Sequence, residues 1–214
     1  ALPLLAGAPL RPDGDLLTGR RTGAQLLVDA ADAPDDVLDL VRAGSPSGRL
    51  DGVVTTHRHA DHLRALAPVV AATGASSAAG EPDADAVAAA SGVPVGRRLR
   101  HGDVLRVGAL DFEVVALRGH TPGSVALAYR EPDDVAEPEA VPGRVHLFTG
   151  DSLFPGGVGN TDRDPARFAS LLSDVVGRVF DRFDDATWVY PGHGADTTLG
   201  AERPHLAEWR ERGW

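Results

Sequence analysis

The chain has 214 residues, 43% of them hydrophobic, a formal net charge of -10 and no cysteine. That length can bury a full core, and one domain over residues 1–214 is expected. The acidic balance opposes a nucleic-acid partner, the missing cysteines exclude disulfides, thiolate nucleophiles and thiolate metal ligands, and no run reaches the roughly 18 apolar residues of a membrane span. All 21 basic residues are Arg, and Met, Lys and Ile do not occur. Such usage fits a high-GC bacterial genome and, with no export signal, a cytoplasmic location is expected.

Residues 1–20 are punctuated by Gly and Pro. Leu2 to Leu10 has no preceding basic segment, so it reads as a tail or a first edge strand rather than a signal peptide. Gln25 to Asp29 is an apolar run ending in a carboxylate, as a buried strand would. Asp35 to Ala43 carries Val37, Leu38, Leu40 and Val41, which predicts a short amphipathic helix stopped at Gly44.

Leu50 to Thr56 is the next predicted strand, and it delivers His57-Arg58-His59-Ala60-Asp61-His62. Divalent first-row ions bind neutral imidazole nitrogens and carboxylate oxygens at about 2.0–2.2 Å. Side chains two apart on an extended segment point the same way, so His57 and His59 can close on one ion. Asp61 and His62 lie one step further, where the chain turns into the apolar stretch Leu63 to Thr73, and can reach a second. A histidine-rich surface loop is the bland alternative, but three His and one Asp within six residues after a strand is a dense signal.

Glu81 to Ser91 is alanine-rich and predicted helical, with Gly92 past its end. Arg97, Arg98 and Arg100 form the one basic cluster and read as a solvated face. His101, in the turn signal with Gly102 and Asp103, is expected to be structural. Val104 to Val107 and Leu110 to Leu117 alternate apolar and polar residues around Gly108, as a hairpin does, and lead to Gly119-His120-Thr121-Pro122-Gly123. The sharp Pro-Gly turn can hold His120 at a strand end, completing a three-His site with His57 and His59.

Val125 to Tyr129 is expected to pair with Arg144 to Thr149 across the acidic loop Glu131 to Gly143, whose composition suits a mobile hairpin tip better than a lid. His146 falls mid-strand and reads as half-buried and structural. At Gly150-Asp151 a carboxylate follows the strand; its two oxygens can bridge two cations, which makes Asp151 the bridging candidate. Phe154 to Thr161, rich in Gly, is expected to be a flexible loop bordering the substrate pocket. Asp164-Pro165 caps a helix whose Phe168, Leu171, Leu172, Val175, Val176 and Val179 face the core. Thr187 to Tyr190 reads as the final strand, handing His193 to the second ion. A short helix within Thr197 to Trp214 closes the fold, with His205 at the surface.

Four ordered motifs, His57-Arg58-His59-Ala60-Asp61-His62, Gly119-His120-Thr121-Pro122-Gly123-Ser124, Thr149-Gly150-Asp151-Ser152 and Pro191-Gly192-His193-Gly194, resemble those of the metallo-β-lactamase-fold superfamily, most nearly its small glyoxalase II-like members. The resemblance implies an α/β fold, an αβ/βα sandwich of two mixed β-sheets flanked by helices. It implies two Zn2+, one held by His57, His59 and His120, the other by Asp61, His62 and His193, with Asp151 between, and a strand-end Asp29 supporting the ligands. The activity implied is hydrolysis of an ester or thioester of a small molecule by a hydroxide between the metals. Zinc lowers the pKa of bound water to about 7, and Asp61 is the residue that would orient the nucleophile and pass on a proton.

Two departures bear on specificity. Where glutathione thioesterases of the family place a cation and often a Tyr after the bridging Asp, this chain has Asn160 and Asp162, and the helical region those enzymes add beyond the last His motif is missing from the 21 residues after His193. The lactonases' Tyr is replaced by Phe154, and the family's RNA-processing and true β-lactamase branches fit poorly. The rival implied by the family is a persulfide dioxygenase with one Fe2+ on His57, His120 and Asp151; a non-catalytic metal-binding module is third. Arg118, Ser124 and Asn160 are the candidate substrate-facing residues. Physiological substrate and oligomeric state have no signature in the sequence.

Overall fold

The computed structural model describes residues 4–6, 14–19, 22–45, 47–134 and 140–213. Two six-stranded sheets lie between two layers of helices. The first sheet runs in chain order: β1 (Leu4–Ala6), β2 (Asp15–Gly19), β3 (Gln25–Val28), β4 (Gly52–Thr55), β5 (Ser76–Gly80) and β6 (Arg97–Leu99). Its first three strands are antiparallel and β3 to β6 parallel. Helices α1 (Pro34–Gly44), α2 (Leu66–Thr73) and α3 (Ala84–Ser91) make the parallel crossovers, because parallel neighbours need a long return connection.

The second sheet continues the chain with β7 (Val104–Val107), β8 (Leu110–Ala116), β9 (Val125–Arg130) and β10 (Val145–Gly150). A two-stranded hairpin, β11 (Leu153–Phe154) with β12 (Gly157–Val158), precedes helix α4 (Pro165–Val175), and β13 (Trp188–Pro191) then returns parallel to β10. Beyond β13 lie β14 (Thr197–Thr198), α5 (Leu199–Glu202) and α6 (Leu206–Arg212), so the order across the sheet is β14, β13, β10, β9, β8, β7.

Strand alternation sorts the core into three layers. Leu26, Val28, Val54 and Ala78 meet Phe112, Val114, Leu127 and Phe148 between the sheets. Leu27, Val53 and Ala79 face the other way, onto Val37 and Val41 of α1, Leu66 and Val69 of α2 and Val87 of α3. Val115, Leu117, Leu147 and Val189 pack on Phe168, Leu171, Leu172 and Val175 of α4 and on Trp209 of α6. Each fully buried Val, Leu or Phe among these contributes about 1.5–3 kcal/mol by leaving water.

Three strands carry no alternating apolar signal in the sequence. Ser76–Gly80 is a small-residue strand without alternation, buried on both faces as an interior strand of a parallel sheet is. Arg97–Leu99 is an edge strand as well as a charged surface: Arg98 pairs with Asp85 and Arg100 with Glu81 while Leu99 is buried. Asp15–Gly19 pairs with β3 on one side and with Leu4–Ala6, the expected edge strand, on the other.

Other expectations shift in detail. Thr187 to Tyr190 corresponds to β13, but it is not the final strand, since β14 pairs with it antiparallel. The Gly-rich segment after Asp151 is not an irregular flexible loop; Gly156, at φ +82°, makes the tight turn of the β11–β12 hairpin and Leu153 anchors it in the core. The end of the chain is broken into a strand and short helical turns instead of one helix. Residues 135–139 of the 131–143 loop lie outside the described residues. Among the described residues, no helix is long and apolar enough to cross a membrane.

Candidate metal centre

Four strand ends meet at one edge of the sandwich. His57, His59, Asp61 and His62 follow β4, His120 follows β8, Asp151 follows β10 and His193 follows β13. Val125 N donates to Thr56 O at 3.0 Å, stitching the two sheets together beside the cluster, and Gly192 N donates to Gly150 O at 2.9 Å. Two glycines let the chain pass this closely. Gly150 adopts φ +48°, and a Cβ there would stand 2.4 Å from Thr56 Oγ1; a Cβ on Gly192 would stand 2.3 Å from Asp151 Oδ1 and 2.7 Å from the His62 ring.

The seven side chains form overlapping groups able to hold ions: His57, His59 and His120; His57, His62 and Asp151; and Asp61, His62 and His193. Two ligand atoms on one tetrahedral ion with bonds of about 2.0–2.1 Å stand about 3.3 Å apart. Here His62 Nε2 is 3.2 Å from His193 Nε2 and 3.3 Å from Asp151 Oδ1. Asp151 Oδ2 lies 3.5 Å from His193 Nε2 and 3.7 Å from His120 Nε2, and His193 Nε2 is 3.6 Å from Asp61 Oδ2. The Asp151 carboxylate thus faces both groups of ligands.

The fit to a metal is tested by what the buried atoms lack. His57 Nε2, His120 Nε2 and Asp151 Oδ1 are buried without a hydrogen-bond partner, a costly state unless another partner takes the lone pairs. The opposite ring nitrogens are all engaged. His120 Nδ1 donates to Asn160 O at 2.7 Å. His62 Nδ1 donates to Asp29 Oδ2 at 2.8 Å. Thr56 Oγ1 donates to Asp29 Oδ2 at 2.7 Å, so it accepts from His57 Nδ1 at 3.1 Å. His57 and His120 are therefore held in the tautomer that points a bare Nε2 inward, as a metal ligand must be, and His62 is held in the same orientation.

Charge follows the same pattern. Burial, helped by the neighbouring imidazoles, pushes His57 well below the usual histidine range, and burial also lowers His120 against the opposing hydrogen bond to Asn160. Burial acts on His62 too, but Asp29 and Asp151 outweigh it and push this imidazole up to about 10. Those carboxylates stabilise positive charge at that point, whether a proton or an ion supplies it. Burial opposes the charge of Asp151, yet the surrounding imidazoles, His62 first, hold its carboxyl below the ordinary value.

Two buried carboxylates position the loops. Asp29, at φ +59° and nearly fully buried, accepts from Thr56 N at 2.7 Å as well as from Thr56 Oγ1 and His62, and so supports the ligand loop. Asp83 carries no motif signal, yet it is fully buried and joins both halves of the site. It accepts from Arg58 N at 3.2 Å, from Thr121 Oγ1 at 2.5 Å and from Gly123 N at 3.0 Å.

The three candidate substrate-facing residues fall elsewhere or have other partners. Arg118 turns away to a two-pronged pair with Asp174, at 2.8 Å from each nitrogen. Ser124 is buried; its hydroxyl accepts from Thr121 N at 3.0 Å and donates to Thr121 Oγ1 at 2.7 Å, which fixes the His120 turn instead of facing a ligand. Asn160 does line a cavity of about 520 Å3 that opens from Asp151 along the β11–β12 hairpin. Asp61, His59 and His193 form the solvent-facing rim of the cluster. His101 and His205 are exposed, and His146 is half-buried between Glu131 and Tyr190, all apart from the ligand groups.

Comparison with known proteins points to one superfamily. The profile described as Metallo-beta-lactamase superfamily matches residues 16–136. A hydroxyacylglutathione hydrolase of Fuscovulum blasticum is 33% identical over 162 residues, 75% of this chain and 56% of that protein. The chain spans about half the length of the first curated relatives it matches. Among solved structures, ETHE1 from Myxococcus xanthus superposes with a TM-score of 0.73 at 25% identity, covering 99% of this chain and 85% of that one. TTHA1623 in a di-iron-bound form gives 0.62 at 31% identity, covering 95% and 96%.

Proposed function

The chain belongs to the metallo-beta-lactamase superfamily, and from that premise we propose that it is a binuclear metal-dependent hydrolase acting on a small-molecule ester or thioester. The observation that carries this reading is the position of Asp151, with one oxygen beside His62 and the other beside His120 and His193. His57, His59 and His120 would hold one divalent ion, Asp61, His62 and His193 the other, and Asp151 would touch both. The relatedness to hydroxyacylglutathione hydrolases supports the thioester class.

Two zinc ions so bound would supply Lewis acidity toward the carbonyl and bring the pKa of water to about 7. The chain's own residues do the rest. Asp61, on the open rim, orients the attacking water and takes its proton at a carboxylate oxygen. Asp29 and the Asn160 carbonyl keep His62 and His120 in the required tautomers. The β11–β12 hairpin walls the acyl group on one side. Water adds to the carbonyl carbon, the carbon–oxygen or carbon–sulfur bond breaks, and acid and alcohol or thiol leave.

A second reading has its own observation. The three orphaned ligand atoms belong to His57, His120 and Asp151, the set that would hold a single iron, and ETHE1 shares the fold. The two are separated by assaying the zinc-loaded and iron-loaded chain side by side. Release of thiol or alcohol from a panel of acyl thioesters and esters by the zinc form supports hydrolysis. Oxygen uptake with a persulfide by the iron form alone refutes it.

A further inference from the structure

We propose that Arg163, assisted by Arg212, forms an anion subsite in the cavity beside Asp151, and that the substrate carries a carboxylate next to its ester or thioester. The cavity of about 520 Å3 is lined by Asp151, Arg163 and Arg212 together with Phe154 and Val158. On a chain of net charge -10, this wall is a local exception. Among the described residues, none accepts a hydrogen bond from Arg163 or pairs with it, whereas the neighbouring acids have partners of their own. Asp162 is paired with Arg167 at 2.5 Å, and Glu202 accepts from Gly156 N at 2.8 Å and from Thr197 Oγ1 at 2.6 Å.

The backbone at Arg163 is a held turn. Asp162 and Arg163 are consecutive non-glycine residues in the left-handed region, at φ +56° and +57°, a conformation that costs about 1 kcal/mol per residue for most side chains. The turn is held by Asn160, whose Oδ1 accepts from Asp162 N at 2.8 Å, and by Arg167, which spans Asp162, Gly119 O and His120 O. The segment that braces His120 therefore also carries Arg163 into the cavity lining. Arg212 reaches the same cavity from α6, with Nη2 donating to Gly156 O at 2.9 Å and Nη1 3.5 Å from Glu208. One charge is anchored and the other is available, a pairing suited to the planar oxygens of a carboxylate.

The subsite rests on the hydrolase reading only for the reacting end of the substrate, so its test starts with binding. Glutarate and butyrate are titrated into the zinc-loaded chain by calorimetry; both can meet the metal centre, but only glutarate brings a second carboxylate. The expected result is a glutarate advantage of about tenfold in the native chain, the size of one charge-assisted contact, lost in Arg163→Asn and partly kept in Arg163→Lys. Asn is chosen because it tolerates the left-handed backbone, and an unchanged thermal midpoint checks folding. An undiminished advantage in a folded Arg163→Asn overturns the subsite. Kinetics then compare succinyl with butyryl thioesters, and 3-mercaptopropionate with propanethiol as leaving group. A preference of about tenfold in kcat/KM for the charged member of at least one pair, abolished by Arg163→Asn, is expected; equal loss on charged and neutral members would also overturn it. Absence of all hydrolysis with the glutarate advantage intact would count against the hydrolase reading alone.

Discussion

The carboxylate of Asp83 accepts the hydroxyl proton of Thr121 at 2.5 Å, and Thr121 is the residue that follows His120. The same carboxylate takes Arg58 N and Gly123 N, so one fully buried side chain ties the His57 and His120 loops together. Replacing it by Ala strands three donors. The expected outcome for Asp83→Ala is a loss of about 2–3 kcal/mol in denaturant unfolding, with zinc affinity reduced about 10- to 100-fold. Asp83→Asn keeps the shape and should fold better while still binding zinc less tightly. A variant with native zinc affinity would remove Asp83 from the positioning role.

Asp29 acts on the other half of the site. It receives both Thr56 donors and His62 Nδ1, so Asp29→Asn should lower affinity for the ion on the Asp61, His62 and His193 side more than for the other. The check is a stepwise zinc titration against a chromophoric chelator: the native chain should show two tight sites, and the variant one tight and one weakened about 10- to 100-fold.

Gly192→Ala isolates close packing from charge. The added methyl would meet Asp151 Oδ1 at 2.3 Å and the His62 ring at 2.7 Å, displacing two ligands without altering a titratable group. The second ion should be lost on dialysis while the fold, read by circular dichroism, persists. Retention of both ions would show that the ligands can yield at no cost.

Asp15, which is not itself a ligand, predicts a pH effect on stability. Burial, reinforced by Asp29 and Asp196, raises its carboxyl from 3.8 to about 7. The folded state therefore holds a proton that the unfolded chain has released, so Asp15 costs stability progressively as pH rises from about 4 to about 7, and the full penalty remains above that. Asp15→Asn should gain at least about 1 kcal/mol over the native chain at pH 8 and little at pH 4. Parallel unfolding curves for the two proteins across that window would contradict the shift.

How much of this was legible in the sequence depends on how local each signal is. The His57 to His62 run, His120, Asp151 and His193 each follow an apolar strand and stand at a turn, so type and spacing point to the cluster without coordinates. Asp83 had no such mark, because its partners lie 25 to 40 residues away and nothing in Gly80-Glu81-Pro82-Asp83 is periodic. Arg118 and Ser124 have partners that no local signal shows. They flank His120 in sequence, but Arg118 is claimed by Asp174 across 56 residues and Ser124 by the turn itself. Strand β5 has no periodic signal, because a small-residue strand covered on both faces does not alternate.

The central claim is that two ions share Asp151, and elemental analysis of the chain purified without added metal tests it most directly. About two zinc ions per chain, falling to about one in Asp151→Asn, is the result expected. One iron per chain with little zinc would contradict the binuclear hydrolase and leave the single-iron reading in its place.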